Sequence, residues 1–150
     1  MAKWRALFMR LFAFVNAALV LAGLGFMLMI WWGALALNAL RTIEEPYFWH
    51  FFVGFSLANI LFLAVLGLSA YMLFTLRQAG LYALAAILVG ELIYWLALGS
   101  LWGHPTLGTS AASATGVGNM GISPQVFIAY PVTGLLAMAI LAAVGVWRRP

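Results

Sequence analysis

Polar residues in this chain are few and clustered, and they divide it into four long apolar runs at about 11–40, 47–76, 81–102 and 126–147. Each run can cross a bilayer core, which takes about 20 helical residues. In lipid every backbone N–H and C=O must bond within its own segment, so the runs predict α-helices. The first two, roughly 45 Å each at full length, exceed the core thickness and must tilt or protrude. The expected fold is all-α, an integral membrane four-helix bundle forming one domain over residues 1–150.

The opening MAKWRALFMR, followed by an apolar run and ALALNA, has the outline of a secretory signal. A signal's apolar core is about 7–15 residues, and this run is twice that. It is therefore read as a retained span.

The connections differ in length. RTIEEP joins the first two runs and RQAG the second and third, so those helices should be antiparallel neighbours. Pro46 and Pro124 stand at helix starts, where a missing N–H is harmless, and Ser123 can cap the last helix. Glu44 and Glu45 lie at the positive end of the second helix's dipole. Between the third and fourth runs stands a long loop at 103–124, rich in Gly, Ser, Ala and Thr. Unstructured loops beyond about 12–15 residues are usually functional or disordered.

Composition agrees with the pattern. The chain is 67% hydrophobic and 7% charged, against roughly 25% charged for a soluble domain. So few charges cannot cover a water-facing surface. The formal net charge of +4 comes from seven Lys and Arg at the ends of the runs, which is no nucleic-acid footprint. With no cysteine, disulfides, thiol catalysis and Cys-based metal sites are excluded.

The cations also predict orientation. Lys3, Arg5, Arg10, Arg77, Arg148 and Arg149 share one side if both termini are cytoplasmic, leaving only Arg41 with the two glutamates opposite. By the positive-inside rule the protein is expected in the cell (plasma or inner) membrane with both ends in the cytoplasm. Trp31, Trp32, Trp49, Trp95 and Trp102 then fall toward the outer interface, and Trp4 and Trp147 near the inner one.

Three features carry candidate chemistry. Glu91, in AILVGELIYW, sits near mid-membrane with Arg77 and Arg10 roughly 15 Å away along the helix axis. A charge there is expensive, so Glu91 is expected to be uncharged and to need hydrogen-bond partners. Tyr94 and Trp95 are one turn away, Asn59 lies on the adjacent helix, and Asn16 is on the first. Pro131, in IAYPVTG, removes the backbone bond to the Phe127 carbonyl and predicts a kink. His50 and His104 fall at similar depth on neighbouring helices. Two facing imidazoles are what a bis-His haem requires, though these sit at the wet interface rather than inside the bundle.

Enzyme signatures are missing. There is no phosphate-binding Gly loop before a helix, no H-E-x-x-H, and no paired intramembrane carboxylates. GVGNMG follows no strand. The leading expectation is a non-catalytic accessory or structural subunit of a larger membrane complex, or a self-associating protein, contacting other integral subunits, lipids or its neighbours' cofactors. One alternative is a small proton- or ion-coupled transporter or channel using Glu91. Another is a haem or quinone carrier using His50, His104 and the outer tryptophans.

Overall fold

The computed structural model describes residues 2–39, 47–101, 125–143 and 145. The expectations for the 40–46 connection, the 103–124 loop, Trp102, His104, Trp147 and the last arginines lie outside the described residues. Among the described residues there are four helices, α1 (Ala2–Ala39), α2 (Phe48–Phe74), α3 (Ala79–Leu101) and α4 (Gln125–Ala143). Lys3–Ala36, Phe48–Phe74 and Ala79–Ser100 are long and apolar enough to span a membrane, while the apolar part of α4, Phe127–Ala143, is shorter. The protein is a small all-α, multi-pass membrane protein, a bundle of three to four spanning helices.

α2 and α3 lie within two residues of the expected runs at every end. α1 does not. It begins at Ala2, well before the expected 11, because Lys3 and Arg5 bar those residues from the oily run but not from helix. Met9 in that extension is 2% exposed, so packing holds it in place. The resulting 38 residues span about 57 Å, nearly twice a bilayer core.

The turn from α2 to α3 is short and tied by backbone hydrogen bonds. The Leu76 N–H donates to the Leu73 carbonyl (3.0 Å) and the Arg77 N–H to that of Met72 (2.8 Å). Those two bonds form a Schellman cap, whose left-handed position usually takes glycine. Here Leu76 holds it, at φ 59°. Gly80 then enters α3 where a Cβ would stand 2.9 Å from the Leu73 backbone nitrogen, so no larger residue fits undisturbed. The fully buried Ser69 hydroxyl donates to the Gly80 carbonyl at 2.9 Å, fastening α2 to the first turn of α3.

The closest backbone approaches run α1–α2, α2–α3 and α3–α4. Side chains from all four helices meet in a cluster at the α2–α3 turn end, including Met9, Leu73, Leu84, Leu88 and Met138. A second cluster, toward the other end, centres on Met27, Phe55, Trp95 and Leu98. Outward, Phe14, Leu21, Leu28 and Trp32 are exposed, which is the arrangement expected where lipid is the solvent.

Candidate functional site in the α3–α4 seam

α3 and α4 pack in a register set by two contacts. Leu88 presses on Gly134, where a Cβ would lie 2.9 Å from the leucine Cδ1. Trp95 stacks on Phe127 with ring centroids 4.6 Å apart. These pairs are seven residues apart on both helices, from 88 to 95 and from 127 to 134, or two turns each. Glu91, one turn from each, therefore falls at the level of Tyr130 and Pro131.

Glu91 is half-buried there, and Tyr130 is near enough to interact with it electrostatically. Pro131 is fully buried inside α4. Having no N–H, it leaves the Phe127 carbonyl without its helical donor. Thr133 turns its hydroxyl back on the same stretch, donating to the carbonyls of Ala129 (2.7 Å) and Tyr130 (3.0 Å). The seam thus gathers a carboxyl, a phenol and a freed carbonyl in an otherwise apolar layer. A protonated carboxyl could donate to such a carbonyl, and a carboxylate could accept from the phenol.

Of the partners expected for Glu91, Tyr94 lies on its own helix, half-buried, edge-on to Phe62 (5.7 Å) and to Trp95 (5.5 Å). Asn59 spends its amide nitrogen on the Phe55 carbonyl in its own helix, at 2.8 Å. Asn16 is buried in α1 with its Nδ2 unpartnered among the described residues. Tyr130, which does approach Glu91, was not anticipated. Glu91 and Tyr130 stand on helices far apart in the chain, so no spacing in the sequence exposes their shared level.

The remaining candidates scatter. Trp95 is buried between Phe55 and Phe127, whereas Trp32 faces outward. Trp31 donates its indole N–H to Ser56 of α2 at 3.0 Å, and Trp49 packs edge-on to Phe48 and Phe52. His50 is exposed, with its ring tilted against Tyr47 at 6.4 Å. Among the described residues no group of three or more His, Cys, Asp or Glu could hold a metal ion. The chain matches no protein-family model, no curated protein and no solved structure.

Proposed function

We propose that this protein is a non-catalytic accessory subunit that packs against the helices of a larger membrane assembly. The observation that carries this reading is the outer ridge of α1. Leu7, Phe14, Leu21, Leu28 and Leu35 are all exposed and stand seven residues apart. A seven-residue apolar repeat keeps one seam facing a partner helix along its whole length. Lipid requires no such period. On this reading both termini face the cytoplasm, which is supported by Lys3, Arg5, Arg10 and Arg77 standing toward one end of the described helices.

Native mass spectrometry from mild detergent tests this. The expected result is co-purification with other membrane subunits at fixed stoichiometry, lost when Phe14, Leu21 and Leu28 are changed together to alanine. A chain that stays monomeric at native expression, with every cellular function intact, would rule the reading out.

A second reading is favoured by the seam itself, where Glu91 stands opposite Tyr130 and Pro131. It makes Glu91 a proton- or ion-coupling group and the proline a hinge. In proteoliposomes, Glu91→Gln should then abolish a proton-coupled flux while leaving the helical content unchanged. Absence of any such flux in the parent protein eliminates it.

A further inference from the structure

α1 and α2 do not close on each other along their full length. Between them, at the end that carries the α2–α3 turn, lies a groove of about 650 Å³. Ala13, Ala17, Gly67 and Ala70 leave room along it, and Phe14 and Tyr71 stand as exposed walls. Arg10 lines it too, at the same end as Phe74, the last residue of α2. Inward it reaches Leu21.

Its length is informative. From Arg10 to Leu21 is about 16 Å of helix, close to the ~15 Å hydrocarbon depth of one leaflet. A slot this long, apolar along its course and ending beside the exposed Arg10, has the dimensions of one acyl chain with a cation next to where its headgroup would lie. Charge is also one-sided. All four described Lys and Arg residues, Lys3, Arg5, Arg10 and Arg77, lie toward this end, whereas the single described carboxylate, Glu91, is about 18 Å along α3 from its start.

We infer that the α1–α2 groove seats one acyl chain of an anionic phospholipid whose phosphate is held by Arg10. A phosphate oxygen accepting from guanidinium is a charge-assisted bond, and basic pockets between membrane helices commonly take anionic headgroups. A second copy of the chain is a poorer occupant. A two-fold axis along the membrane normal sets identical residues at equal depth, so Arg10 would face Arg10. The groove shares Phe14 and Leu21 with the ridge assigned to a partner helix, so the lipid would lie at the edge of that contact, and the nanodisc measurement on the chain alone reads the lipid separately from the partner.

The test is native mass spectrometry of the intact chain released from nanodiscs of equimolar phosphatidylcholine and phosphatidylglycerol. One phosphatidylglycerol should remain bound per chain, in preference to phosphatidylcholine. Arg10→Gln should lower that retention about tenfold, the effect of losing one charge-assisted hydrogen bond to the phosphate. Ala17→Phe, which fills the groove from an exposed position, should lower retention of both lipids, and Arg77→Gln, which leaves the groove untouched, should do neither. Circular dichroism matching the parent shows that each variant is folded. Equal retention of the two lipids, or retention unaffected by both Arg10→Gln and Ala17→Phe, overturns the inference. So does a dimer that Ala17→Phe dissociates, because the groove would then hold protein.

Discussion

The two helix pairs at the edges of this bundle solve the same problem in opposite ways. In α3–α4, large side chains fill the seam: Trp95 lies flat on Phe127 and Leu88 reaches into the space above Gly134. In α1–α2, small residues leave part of the seam open, and an added Cβ at Gly67 would find only Val20, at 3.9 Å. Burial follows. A third (33%) of the spanning window of α3 is buried against 17% for α1, so α3 belongs to the interior and α1 to the rim. In lipid, apolar burial between helices carries little driving force, and close packing must hold them together. The packed seam therefore fastens α4 to α3, while α1–α2 closes where Gly23 meets Leu63 and leaves only its Arg10 end available to lipid or partner.

The sharpest way to break that comparison is Trp95→Ala. It should destabilise the protein by about 3 kcal/mol, the low end for a large aromatic truncation, since in lipid the cavity persists while most of the transfer term does not. Reversible unfolding in mixed micelles by dodecyl sulfate titration reads this directly. Phe14→Ala on the rim should change little. Equal losses at both sites would show that α1 is as deeply integrated as α3.

Two glycines give a matched pair of smaller effects. Gly134→Ala must displace Leu88, itself 1% exposed, and should cost about 1–2 kcal/mol. Gly67→Ala meets open space and should be neutral or slightly stabilising, within about 1 kcal/mol, through helix propensity. The same titration distinguishes them, and a reversed order would contradict the difference in seam packing. Smallest of all, Ser56→Ala removes the acceptor of the Trp31 indole and should cost about 0.6 kcal/mol, typical of a hydrogen bond between membrane helices. A double-mutant cycle with Trp31→Phe isolates that bond.

Much of this architecture is legible in the residues. Runs of apolar positions mark α2 and α3 to within two residues, because helix is the one open structure whose backbone bonds close within a segment. The start of α1 is less legible, since Lys3 and Arg5 mark a membrane boundary and not a helix boundary. RQAG locates the turn correctly, yet its left-handed residue is Leu76, one place earlier and not a glycine. The bonds of the cap and the Ser69 contact hold it there, and they bring together residues the turn itself does not contain.

The candidate site divides in the same way. Glu91 stands out in the sequence because a carboxyl in an oily run has few neighbours able to satisfy it. Its approach to Tyr130 does not stand out, for the two are 39 positions apart and separated by a connection whose length leaves the register open. Arg10, Gly67 and Tyr71 likewise look unrelated until α1 lies along α2. Hydropathy alone determined that the chain is helical and lies in a membrane, because the cost of an unbonded backbone in lipid acts on each segment separately. Which faces meet, how far they close, and which polar groups share a layer were decided only by the tertiary structure. Those outcomes depend on the fit between side chains of different helices, and in a chain so uniformly apolar no single helix's pattern specifies its partner.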